Sequence, residues 1–99
     1  MIKKETLEFR AEFFKTFSNA KRLEIFDLLK DGEMTVDTIA GRLQIPKTNV
    51  SQHLTLMRKM RILKTRRDGR NIYYRIANDN LIEACNLMHE ALEQIMKNV

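Results

Sequence analysis

Between Lys47 and His53 the chain carries six side chains that form hydrogen bonds, Lys47, Thr48, Asn49, Ser51, Gln52 and His53, around a single apolar residue, Val50. Asn and Gln amides present a donor beside an acceptor and can bond adenine bidentately, while Thr and Ser hydroxyls reach base edges or phosphates. At helical spacing Thr48, Asn49, Gln52 and His53 share one side, with Val50 and Leu54 anchoring the other. The surroundings are basic. From Arg42 to Arg75 lie Arg42, Lys47, Arg58, Lys59, Arg61, Lys64, Arg66, Arg67, Arg70 and Arg75 against one acid, Asp68, a net +9, while the remainder of the chain carries −4. A basic segment set inside a folded domain marks a polyanion-binding face. Charge does not choose among DNA, RNA and an acidic membrane surface.

Little else in the chain could do chemistry. Two histidines, one cysteine and no paired carboxylates in a plausible pocket leave no catalytic constellation, so an enzyme is not expected. Cys85 and His89 stand four residues apart, and two chains together could present two such pairs to a metal. Cys85 falls on an apolar stripe, however, where a free cysteine ordinarily packs as a small hydrophobe. Packing is the expected role, and no metal ligand or cofactor is assigned. A symmetric Cys85 disulfide would require two chains to bring those positions together.

The 99 residues suit one domain spanning 1–99, and 43% hydrophobic with 31% charged residues points to a soluble globular fold. One cysteine rules out an internal disulfide framework and a Cys-rich zinc site. No apolar run reaches the length of a membrane span, so no membrane partner is expected. The opening residues MIKKETLEFRAEF meet acids where a signal peptide needs an apolar stretch, and a cytoplasmic protein is expected.

The elements that must position the polar and basic residues are legible from periodicity. Phe9, Phe13 and Phe17, with Leu7 and Phe14 beside them, put large apolar groups on a first helix over about 2–17. Ser18 or Asn19 can cap a second helix, in which Ala20, Leu23, Phe26, with Ile25 beside it, and Leu29 recur at helical period to Lys30 and Asp31-Gly32 closes the segment. Thr35 is the next cap, before Val36, Ile39, Ala40 and Leu43. Gly41 inside that helix costs about 1 kcal/mol relative to alanine unless close packing requires it. Gln44-Ile45-Pro46 forms a turn, and a fourth helix starts at Pro46 or Thr48 with Val50, Leu54 and Met57 inward. The period then changes to two: Ile72, Tyr74 and Ile76 alternate with Tyr73 and Arg75, and Leu63–Arg67 is the paired strand. Asp68-Gly69 between them is a hairpin signal. The tip of this hairpin gathers Arg66, Arg67 and Arg70. Tyr73 and Tyr74 are expected to pack within the hairpin, and His53 to pack beneath it or to contact nucleic acid. Asn78 or Asp79 caps a last helix over about 79–97, whose stripe is Leu81, Cys85, Met88, Leu92, Ile95 and Val99.

The predicted fold is therefore mostly α with a two-stranded β-hairpin, in the order α-α-α-α-β-β-α. A short helix, tight turn and second helix followed by a basic hairpin reads as a winged helix-turn-helix, the unit that sets a recognition helix into the major groove of double-stranded DNA. The apolar faces of the two terminal helices exceed what a domain of this size covers, which predicts a homodimer joined through both ends of the chain. The residues expected at that interface are Leu7, Phe13, Phe14, Leu81, Cys85, Met88, Leu92 and Ile95.

From Phe14 to Tyr74 the sequence resembles the ArsR/SmtB family of small homodimeric winged-helix repressors, in FSNAKRLEIFDLL, EMTVDTIAGRLQI, KTNVSQHLTLMRK and RRDGRNIYYRI. With the flanking helices the resemblance extends over nearly the whole chain. It implies a transcriptional repressor that holds an operator near its own gene and releases it on binding a small effector. It places recognition-helix contacts on Lys47, Thr48, Asn49, Ser51, Gln52 and His53, and wing contacts on Arg67 and Arg70. Two departures stand in the turn, where Gln44 replaces the family's usual glycine and Pro46 a common serine cap. The implied metal ligands are also missing: Thr35 and Asp37 stand at the positions of a cysteine pair, and Asn78, Asn80, Ala91 and Gln94 at those of Asp and His ligands. Hydroxyls, amides and a methyl make a poor transition-metal site. The competing expectation is a winged-helix module that binds RNA, non-specific DNA or an acidic protein. Absence of aromatic-rich sheet strands disfavours RNA.

Overall fold

A computed structural model describes residues 2–98; Val99, assigned to the last apolar stripe, lies outside them. The elements are α1 (Lys4–Thr16), α2 (Ala20–Leu29), α3 (Val36–Leu43), α4 (Lys47–Lys59), β1 (Leu63–Asp68), β2 (Asn71–Ile76) and α5 (Asp79–Lys97), in the predicted order. Side-chain caps account for three of the helix starts. Asn19 accepts from the Arg22 backbone N–H, Thr35 from that of Thr38 and Asn78 from that of Asn80. Ser18 is not a cap; its hydroxyl donates to the Lys15 carbonyl at the end of α1. Pro46 precedes α4 without a side-chain cap bond.

The core lies where α2, α3 and α4 meet the base of the hairpin. Ile25, Phe26, Leu29, Ile39, Ala40, Val50, Leu54, Met57, Ile62, Leu63 and Ile76 are buried there. Leu23 departs from the predicted stripe and is exposed, because Ile25 takes the inward position beside Phe26. An aromatic ladder fastens α1 to this core: the Phe13 and Phe17 ring centroids are 5.1 Å apart, and Phe17 meets Phe26 edge-on at 5.3 Å.

The hairpin is antiparallel, from Leu63 opposite Ile76 to Asp68 opposite Asn71. Its loop is Gly69-Arg70 rather than one centred on Asp68, which pairs as the last residue of β1. Gly69 has φ of 62° and Arg70 is not in the positive-φ region, the pattern of a turn with glycine at its first central position. Alternation puts Leu63, Thr65, Arg67, Ile72, Tyr74 and Ile76 on one face and Lys64, Arg66, Asp68, Asn71, Tyr73 and Arg75 on the other. Burial fades toward the tip, so Ile76 is buried, Tyr74 half-buried and Ile72 exposed. One element had no periodicity to announce it. Met34 pairs with Tyr74 through two backbone hydrogen bonds, 3.0 and 2.8 Å, tying the segment between α2 and α3 to the free edge of β2.

Candidate nucleic-acid interface

α3, the turn at Gln44 and α4 form the helix-turn-helix. Gln44 adopts the left-handed conformation, φ 55°, where the family pattern has glycine, and the Ile45 N–H reaches back to the Ala40 carbonyl at 3.2 Å. The turn is thus made without glycine, at the cost of a strained side-chain-bearing residue. On α4, Val50, Leu54 and Met57 are buried, and Lys47, Thr48, Asn49, Ser51 and Gln52 are exposed. The buried face locks the helix; the polar one remains open.

Two of the expected contact residues are already engaged. Lys47 lies 3.2 Å from Asp37, an exposed ion pair that bridges the two helices of the motif. His53 is half-buried and faces α2, not the hairpin: its Nδ1 is 3.5 Å from an Arg22 guanidinium nitrogen, whose N–H can donate to it. Burial, and then the Arg22 charge, push the His53 imidazole below its ordinary value, which favours the neutral acceptor form. Arg22 also donates through Nε to the Thr16 carbonyl, so one guanidinium joins the end of α1 to α4.

The basic wing divides in the same way. Arg66 is taken by Glu33 through two parallel hydrogen bonds, the Nε contact being 3.1 Å, and its guanidinium lies 4.6 Å from the centre of the Tyr73 ring. The guanidinium beside Glu33 holds that carboxyl below the usual range. Arg66 therefore braces the wing against the α2–α3 connection. Arg67, on the opposite face of β1, and Arg70, in the loop, are exposed, and neither lies within ion-pair distance of a carboxylate among the described residues. Nothing in the spacing of Arg66 and Arg67 separated these two roles; strand alternation separates them once the register is known.

Toward the ends of the chain, Leu7, Phe14, Met88, Leu92 and Ile95 are exposed, whereas Phe13, Leu81 and Cys85 are half-buried against the chain's own core. Together α1, α2 and α5 enclose an apolar groove of about 320 Å³ that includes Phe14, Leu23, Cys85 and Leu92. Burial raises the Cys85 thiol above its ordinary value, keeping it protonated. His89 pairs with Glu93 at 3.2 Å.

The positions of the family's implied metal ligands do not fit a metal. The Thr35 oxygen caps α3, Asp37 pairs with Lys47 and the Asn78 amide oxygen caps α5. No group of three His, Cys, Asp or Glu side chains could hold a metal ion among the described residues. None of the described helices is long and apolar enough to cross a membrane.

Comparison with known proteins agrees with this architecture. The model for "Bacterial regulatory protein, arsR family" matches residues 19–65, which run from the α2 cap into β1. The HTH-type transcriptional regulator KmtR of Mycobacterium tuberculosis is 39% identical over 70 residues, 71% of this chain and 54% of KmtR. The transcriptional repressor SdpR of Bacillus subtilis is 36% identical over 75 residues, 76% of this chain and 83% of SdpR. The solution structure of the homodimeric winged helix-turn-helix DNA-binding domain of Mb0332 from Mycobacterium bovis aligns with a TM-score of 0.88 at 28% identity, covering 96% of this chain and 88% of that one. Against KmtR and two further relatives the chain spans 54, 66 and 64% of their lengths. These are regulators rather than enzymes, and the chain belongs to the ArsR family of bacterial regulatory proteins.

Proposed function

We propose that this protein is a transcriptional repressor that binds a pseudo-palindromic operator in double-stranded DNA as a homodimer. The observation that carries the reading is the division of α4 into a fully buried face and an open polar one beside a basic wing. In this reading Thr48, Asn49, Ser51 and Gln52 meet base edges and backbone in the major groove. Lys47 joins them by exchanging its exposed Asp37 partner for phosphate, and His53 supports the helix from its Arg22 side and contributes its remaining ring edge. Arg67 and Arg70 meet the adjacent backbone or minor groove. One domain spans residues 1–99, and its terminal helices, about 2–17 and 79–97, form the dimer interface through Leu7, Phe13, Phe14, Leu81, Cys85, Met88, Leu92 and Ile95. The exposed members of that set supply the apolar area, and Phe13, Leu81 and Cys85 supply the floor beneath it. Two-fold symmetry then places half-sites about 34–36 Å apart, or a multiple of that distance. The place of action is the cytoplasm, where such DNA is found.

Fluorescence anisotropy with the duplex upstream of the protein's own gene, against scrambled duplex at two salt concentrations, tests this reading. The expected result is a preference of about a thousandfold or more that persists at physiological salt. Gln52→Ala is expected to cost roughly 1–3 kcal/mol and to change sequence preference. Equal, steeply salt-dependent binding to both duplexes, with Gln52→Ala indistinguishable from the parent, would refute base reading and favour a non-specific or RNA-binding module.

A further inference from the structure

At the foot of the wing, away from its tip, Arg58, Arg61, Lys64 and Arg75 line an open pocket of about 380 Å³, with Leu63, Thr65 and Ala77 completing it. No acidic residue lines it. None of the four cations lies within ion-pair distance of a carboxylate among the described residues. Glu33 feels the Arg75 charge but gives both its oxygens to Arg66.

Three features of this pocket work against the isolated fold. Lys64 and Arg75 are direct cross-strand partners, and like charges so placed repel. Arg58 and Arg61 bring two more positive charges from the end of α4. Arg61 is also held at φ 62°, the left-handed region that glycine enters without penalty. The position itself is well defined: the Arg61 N–H bonds the Arg58 carbonyl at 2.9 Å and the Ile62 N–H bonds the Met57 carbonyl at 3.0 Å, a helix ending that ordinarily takes glycine. A long cationic side chain at a glycine position, beside a repelling cation pair, is explained by a ligand that needs all four charges.

We propose that this pocket binds phosphate groups, with Arg58, Arg61, Lys64 and Arg75 as the ligating side chains. Three guanidiniums and an ammonium suit the tetrahedral oxygens and multiple negative charge of a phosphate better than a single carboxylate. The phosphate has two sources. It is a backbone phosphate of DNA flanking the bases read by α4, which rests on the operator reading, or it belongs to a free phosphorylated molecule, which does not.

Arg61→Gly separates function from folding, because it removes the cation while relieving the backbone. Its thermal midpoint without ligand is expected at or above that of the parent. Tripolyphosphate binding, measured by calorimetry at fixed ionic strength, is expected to weaken roughly tenfold or more in Arg61→Gly and in Lys64→Gln, the loss of one charge-assisted contact. It is expected to be unchanged in Lys59→Gln, a neighbouring exposed cation outside the pocket. If the logarithmic salt slope for duplex DNA also falls by about one in Arg61→Gly, the phosphate is DNA's. If the slope is unchanged while tripolyphosphate binding is lost, the site serves a free phosphorylated molecule. Tripolyphosphate binding in a protein with no operator preference would sink the operator reading and leave this site standing. Equal weakening in Lys59→Gln, or no weakening in Arg61→Gly and Lys64→Gln, would overturn the proposal.

Discussion

Phe14→Ala puts a number on the dimer surface. Phe14 is 50% exposed, on the rim of the groove between α1, α2 and α5. An aromatic side chain presents about 150–250 Å², so roughly 100 Å² of this ring is open on each protomer. At about 25 cal/mol/Å², covering that area is worth ~2.5 kcal/mol per protomer and ~5 kcal/mol per symmetric dimer. Interface area converts incompletely to affinity, and alanine keeps the β-carbon, so the expected loss is about 2–4 kcal/mol, a roughly 30- to 1,000-fold rise in the dimer Kd. Within the protomer the change removes an edge contact with Phe13 at 5.8 Å, while the Phe13–Phe17–Phe26 ladder stays in place. Far-UV circular dichroism should therefore be unaltered. Sedimentation velocity over a concentration series measures the Kd. Leu87→Ala is the comparison: Leu87 is 69% exposed, more than Phe14, but about a quarter-turn from the stripe of Met88, Leu92 and Ile95. A Phe14→Ala Kd within about threefold of the parent, or an equal loss in Leu87→Ala, would refute the interface and not merely its magnitude.

Two further predictions concern the protomer itself. A β-carbon on Gly41 would meet nothing within 4 Å, so close packing does not require this glycine, and Gly41→Ala is expected to stabilise by about 1 kcal/mol and raise Tm by roughly 4–8 °C; an unchanged or lower Tm by calorimetry would contradict that account of α3. The His53 imidazole is pushed below its unfolded value of 6.5, so the unfolded chain takes up a proton that the folded chain resists. Stability is then flat in this group above pH 6.5 and falls as the pH drops below it. Urea midpoints at pH 7.5 and 5.5 should diverge less in His53→Gln than in the parent, and an equal divergence would mean that burial against Arg22 does not govern the ring.

Much of the fold follows from local chemistry. Asn19, Thr35 and Asn78 stop the preceding coil because each oxygen satisfies an orphan N–H three residues on or fewer. Val50, Leu54 and Met57 recur at the pitch of a helix, and that recurrence alone assigns the polar edge of α4 to the outside. Hairpin, order of elements and the surplus apolar faces of α1 and α5 were legible for the same reason: each depends on residues within a turn or a strand of one another.

What the tertiary structure decided is which of the candidate residues are free. His53 and Arg22 are 31 positions apart, and Arg66 and Glu33 are 33 apart. No period in the sequence links either pair. Glu33 removes Arg66 from the wing's open charges, Arg22 turns His53 away from the solvent face, and the Met34–Tyr74 bridge brings Glu33 within reach of the hairpin. The foot of the wing is of the same kind, since Arg58 and Arg61 meet Lys64 and Arg75 only after the chain reverses at the end of α4 and again at Gly69. The sequence determined the elements and the sign of the charge, because backbone preference and periodicity act over a few residues. The fold alone determined how that charge is apportioned, because Coulombic pairing depends on distance in space, and the register of the hairpin sets that distance.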